Sequence, residues 1–104
     1  MLTREHKFRE RNRLLVNRKK QQALKATGGL ECEVCAFDFF AIYGEIGRNF
    51  AECHHTLPIS DLADARETRL SDLAIVCANC HRMLHRARPW KTIQALKKLL
   101  RKDN

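Results

Sequence analysis

The sequence predicts a small α+β domain: two short strands and the helix that follows them, with a basic helix at either end. Three observations carry that prediction. The chain has 104 residues, room for one domain and one modest core. Stretches at both ends keep apolar residues near helical spacing under a coat of lysine and arginine, while only two short runs, about residues 49–54 and 73–77, read as strands. Four of the five cysteines fall into two Cys-x-x-Cys pairs, Cys32 with Cys35 and Cys77 with Cys80. A chain this short buries a limited share of its surface, and such pairs supplement a small core.

From Arg4 to Thr27 there is neither proline nor glycine, and Phe8, Leu15, Val16, Ala23 and Leu24 mark one weakly amphipathic face of a basic helix. Gly28 and Gly29 end it, as a left-handed cap does. "LECEVC", residues 30–35, makes the first cysteine pair a turn. The aromatic run "AFDFFAIYGEIGRNF", punctuated by Gly44 and Gly47, reads as a short helix or a tight loop leading into the first strand. The polar stretch from Ile59 to Ser71 reads as a loop carrying a helical turn, with Ser60 and Asp61 as caps. "LAIVC", 73–77, is a short buried strand. Ala78, Met83, Leu84 and Ala87 lie near helical spacing until Arg88-Pro89 stops the pattern. A last helix starts at Pro89 or Trp90, with Trp90, Ile93, Leu96 and Leu100 as its apolar face. No repeat or low-complexity linker divides the chain. Residues 1–104 are therefore read as a single domain: a basic helix over 1–29, a core stapled by the cysteine pairs over 30–88, and a C-terminal helix over 89–104.

Twenty Lys and Arg against twelve Asp and Glu give a formal charge of +8, which favours a polyanionic partner, although a solvated basic surface gives the same count. The amino terminus carries no apolar run for a signal peptide, and no segment approaches the roughly twenty apolar residues of a membrane span. A soluble intracellular protein without a membrane partner is the expectation. In a reducing cell the cysteines are not a disulfide framework. Two knuckles instead supply the four thiolates of a closed tetrahedral zinc site, structural because no coordination position is open. Such an ion contributes on the order of 10 kcal/mol to folding. Cys53 is left over and reads as a small buried hydrophobe.

The histidines require a second role. His54 and His55 are adjacent in "ECHHTLP", 52–58, and neighbours on a strand point to opposite faces. His81 and His85 stand four apart on the helix after the second knuckle, a geometry that can hold one metal ion. A solvated helix face would explain that pair alone. It does not explain a His-His-x-x-Pro strand, a zinc knuckle and His-x-x-x-His in succession.

In "CEVC" (32–35), "ECHHTLP" (52–58) and "LSDLAIVCANCHRMLH" (70–85) the chain resembles the HNH nucleases. The variant most similar is the bacterial HNH endonuclease with a four-cysteine zinc site, some of them restriction-type. The resemblance implies a ββα-metal, treble-clef-like core, with a two-stranded hairpin and one helix around a divalent ion. It implies that His54 and His81 are metal ligands, that His85 joins them as in the nuclease colicins, and that His55 is the general base. Asp72 stands where the family's middle asparagine is expected and is a supporting residue. For adjacent imidazoles to serve ion and water separately, a local twist or bulge in the strand is expected.

The resemblance further implies a DNA endonuclease that hydrolyses phosphodiester bonds, leaving 5′-phosphate and 3′-hydroxyl ends. Its cofactors would be the structural Zn2+ and one catalytic divalent metal such as Mg2+, Mn2+, Ni2+ or Zn2+, with no small-molecule substrate. The setting would be cytoplasmic, in a bacterium or under a phage gene. Arg82 and Arg86 on the metal-bearing helix, and Arg18, Lys19 and Lys20 in the first helix, would contact phosphates. One alternative is a noncatalytic zinc module that binds nucleic acid, which leaves four histidines without a purpose. Another is a nuclease-derived partner in phage DNA packaging. Nothing in the sequence sets an oligomeric state.

Overall fold

Helix α1 spans Arg4–Thr27, bounded as its sequence dictates. The Thr3 hydroxyl accepts a hydrogen bond from the His6 amide at 3.2 Å, and Gly28, at φ 82°, turns the chain left-handed while its N–H reaches the Leu24 carbonyl. The structure is a computed structural model that describes residues 3–57 and 68–101. Within the aromatic run both readings hold. A short helix α2, Phe39–Tyr43, is capped by the Asp38 carboxylate and passes into a tight 3-10 turn, Gly44–Gly47. Glycine is required at 47, where a Cβ would stand 2.3 Å from the Phe39 carbonyl oxygen.

The first strand, β1, is Glu52–His55, shifted toward the carboxyl end of the predicted 49–54. The shift has a local cause: Asn49 has a positive φ of 60° and the Phe50 N–H bonds the Gly47 carbonyl, so the chain is still turning there. Strand β2, Leu73–Val76, pairs with it antiparallel, matching Glu52 with Val76, Cys53 with Ile75, His54 with Ala74 and His55 with Leu73. The matching is one to one. Of the expected twist or bulge, the pairing therefore contains no bulge, and ordinary strand alternation separates the two histidines.

Both faces of this hairpin are covered, which is why all four residues of β2 are buried and show no alternation. On one face Ala74 and Val76 pack with Cys32, Val34, Cys77 and Cys80, with Leu84 of helix α3 (Ala78–Arg86), and with Leu96 of helix α4 (Ile93–Leu99). On the other face Ile75 packs with Leu30, Ala51, half-buried Cys53, and Ala23 and Leu24 of α1. The first knuckle hooks onto β2: Glu33 donates its amide to the Ile75 carbonyl at 2.8 Å, and its carboxylate accepts the Ile75 amide at 2.7 Å.

The last helix starts later than predicted. Thr92 caps it by accepting from the Ala95 amide at 3.0 Å, so α4 begins at Ile93 and ends before Leu100, which is exposed. Trp90 therefore does not belong to its apolar face. The indole lies instead against the rings of His85 and His54, with centroids 4.0 and 5.4 Å away. The predicted loop turn with caps Ser60 and Asp61 lies outside the described residues, except for a 3-10 turn at Leu70–Asp72 that leads into β2.

Candidate metal centre

The two knuckles come together as their spacing requires. The sulfurs of Cys32, Cys35, Cys77 and Cys80 all lie within 4.8 Å of one another, and those of Cys35 and Cys77 are 3.7 Å apart. A tetrahedron with zinc–sulfur bonds of about 2.3 Å has edges of about 3.8 Å, so the cluster fits zinc. Each knuckle aims an amide at its own sulfur: Val34 N–H at Cys32 Sγ and Cys80 N–H at Cys77 Sγ, both at 3.4 Å. Burial pushes the Cys35 and Cys80 thiols up. At Cys32 burial pushes the same way, but amides from Cys35, Cys77 and Val34 hold the thiol below its ordinary value. Four thiolates so close repel one another, and a dication at their centre removes that penalty.

A second cluster stands on the same face of the hairpin. His54, His81 and His85 each offer one ring nitrogen, all within 4.8 Å, and His54 Nδ1 lies 3.2 Å from His85 Nε2. His54 is 1% exposed, while His81 and His85, one turn apart on α3, are half-buried. His81 donates Nδ1–H to Glu52 Oε1 at 2.7 Å, which leaves its Nε2 with a free lone pair. Burial lowers the pKa of His54 to about 4, helped by the charges of His85, His81 and His55. Burial, then His81 and Arg88, lowers that of His85 as well. Neutral imidazoles are the form that binds metal. Tetrahedral nitrogen ligands at about 2.0–2.1 Å stand about 3.3 Å apart, so this donor set fits a divalent ion, and three ligands leave a coordination position open.

His55 faces the other way, toward α1. Its Nε2 lies 3.0 Å from the Oδ1 of Asn12. Burial, then the charge of His81, lowers its pKa, while Asp72 pulls in the opposite direction. Asp72 closes the hairpin end: its carboxylate accepts the Arg69 amide at 2.9 Å, and its carbonyl accepts the Thr56 amide and hydroxyl at 2.8 and 3.0 Å.

The basic residues divide. Arg82 and Arg86 are exposed on α3, about 100° around the helix from His81 and His85. Arg18 is exposed on α1, but Lys19 and Lys20 are half-buried on its inner side, and Lys20 Nζ makes a long 3.4 Å contact with the Asn49 carbonyl. The two lysines lie near Cys53, where their charges oppose the effect of burial on that thiol.

Sequence reasoning missed Glu52 and Asn12. The first had a signal, since Glu52 and His54 share a strand face by their spacing of two. The second had only its place on the inner stripe of α1, with Leu15, Val16 and Lys19. A protein-family model described as HNH endonuclease matches residues 32–87. No curated protein and no solved structure matches the chain.

Proposed function

The chain belongs to the HNH endonuclease family, and from that membership we propose a metal-dependent DNA endonuclease formed by residues 1–104 as one domain. His54, His81 and His85 hold one divalent ion, and His55 is the general base. A single observation carries this reading: three imidazoles gather on one face of the hairpin while the adjacent fourth stands apart on the other. A noncatalytic zinc module accounts for the thiolates but gives no reason to bury His54 against two more histidines.

When bound, the ion supplies charge neutralisation at the phosphate oxygens and at the departing sugar oxygen. His55 takes a proton from water, a contribution typically worth about 100- to 10,000-fold. The water oxygen joins phosphorus in line with the bond to the 3′ oxygen, which breaks, leaving 5′-phosphate and 3′-hydroxyl ends. Arg82 and Arg86, exposed beside the histidines, hold the phosphate backbone. Three nitrogen donors suit Zn2+ or Ni2+ better than Mg2+, which prefers oxygen ligands. No helix among the described residues is long and apolar enough to cross a membrane.

The test is nicking of supercoiled plasmid by the zinc-loaded chain supplied with Ni2+, Zn2+, Mn2+ or Mg2+, against EDTA and His55→Ala. Cleavage that needs metal and fails in His55→Ala is the expected result. Tight DNA binding without cleavage under any metal would favour the noncatalytic module.

A further inference from the structure

We propose that Asn12 is the positioning residue for His55, so that α1 completes the catalytic site from outside the segment that the family model matches. The inference rests on reading His55 as the base. A neutral imidazole exists in two tautomers, and a base needs the one whose free lone pair faces water. The Asn12 carbonyl oxygen, 3.0 Å from Nε2, can only accept. It holds the proton on Nε2 and leaves the lone pair on Nδ1. Asn12 is itself held, because α1 packs across the hairpin through Ala23 and Leu24 and keeps Leu15 and Val16 half-buried along the same stripe. Asp72, whose charge also reaches His55, has its carboxylate committed to the Arg69 amide and its carbonyl to Thr56. Among the described residues, orientation of the ring therefore falls to Asn12.

In the reaction, the water proton passes to Nδ1 as the water oxygen bonds phosphorus. The bond from phosphorus to the 3′ oxygen breaks with its electron pair, and solvent protonates that oxygen. Nε2–H keeps its bond to Asn12 throughout, and the amide dipole stabilises the imidazolium as it forms.

Two readouts on the zinc-loaded full chain test this. Long-range proton–nitrogen NMR of the parent should find His55 as the Nε2–H tautomer, and Asn12→Leu should raise the Nδ1–H population. In plasmid nicking with Ni2+, Asn12→Leu should lower kcat about 10- to 100-fold with KM little changed, the range that loss of a hydrogen-bond partner costs at a ligating histidine. Asn12→Asp, which still accepts, should recover most of that loss, and Asn17→Leu on the exposed side of α1 should lose nothing. An Nδ1–H ring in the parent overturns the proposal. So does an Asn12→Asp variant that is folded, zinc-replete and no faster than Asn12→Leu. If the parent itself cuts nothing, the endonuclease reading fails, and the ring spectrum still decides whether Asn12 sets the tautomer.

Discussion

Glu52 and His81 meet at 2.7 Å between β1 and α3, the carboxylate accepting from ring Nδ1. With Nδ1 so engaged, the proposed ligand role of His81 falls to Nε2, and a carboxylate partner of this kind raises the basicity of a ligating imidazole. Glu52→Ala should weaken binding of the catalytic metal about 10- to 100-fold, whereas Glu52→Gln, whose amide oxygen can still accept, should keep most of it. Competition against a chromophoric chelator measures both. Unchanged affinity in Glu52→Ala would mean that the ring needs no such support.

Strand alternation puts His54 and His55 on opposite faces of the hairpin, so under the proposed division into ligands and base their variants should fail differently. His54→Ala or His85→Ala should lose metal affinity and cleavage together. His55→Ala should keep the metal and lose cleavage by about 100-fold or more. Cobalt(II) absorption titrated into each variant follows the metal, and plasmid nicking follows the chemistry. Equal loss of cobalt affinity in His55→Ala would make both adjacent histidines ligands.

What could be read from the sequence was what local physics decides. The ends of α1 were legible because Gly28 acts within one turn, and the thiolate cluster because Cys-x-x-Cys spacing prescribes its own geometry. The ββα arrangement and the histidine roles entered through resemblance, and the one-to-one pairing of β1 with β2 then removed the need for a bulge. Tertiary contacts were not legible. Trp90 continues the spacing of Ile93 and Leu96, yet it packs on His85, and Thr92 takes the capping role after it. Asn12 meets His55 across 43 positions, a distance over which no periodicity speaks. The run Arg18-Lys19-Lys20 looks like one patch in sequence, but successive helix positions turn by about 100° and split it between solvent and the inner face.

The cysteine cluster joins the first knuckle to the start of α3, and three of its members, Cys32, Cys77 and Cys80, form part of the core with Val34, Val76 and Leu84. Cys32→Ser and Cys80→Ser, at buried positions, should therefore lower zinc content and melting temperature together. Elemental analysis beside thermal unfolding checks this. A chain stripped of zinc, verified by mass spectrometry, that melts where the loaded chain does would remove the structural role.

Phosphate contact should follow exposure. Each phosphate neutralised on duplex DNA steepens the dependence of log affinity on log salt by about 0.9, and the effect ignores sequence. Arg18, Arg82 and Arg86 are exposed and free to reach a backbone, whereas Lys20 reaches the Asn49 carbonyl and also lies 6.0 Å from the centre of the Phe50 ring. Replacing Arg82 and Arg86 together with Ala should flatten the salt slope by up to about 1.8, and Arg18→Ala by about 0.9 or less. Lys20→Ala should lower the melting temperature more than it changes the slope. Fluorescence anisotropy on two unrelated duplexes over a salt series measures the slopes. A loss confined to one duplex would make the arginines readers of bases, and a flattened slope with unchanged melting in Lys20→Ala would return that lysine to the phosphate-binding surface.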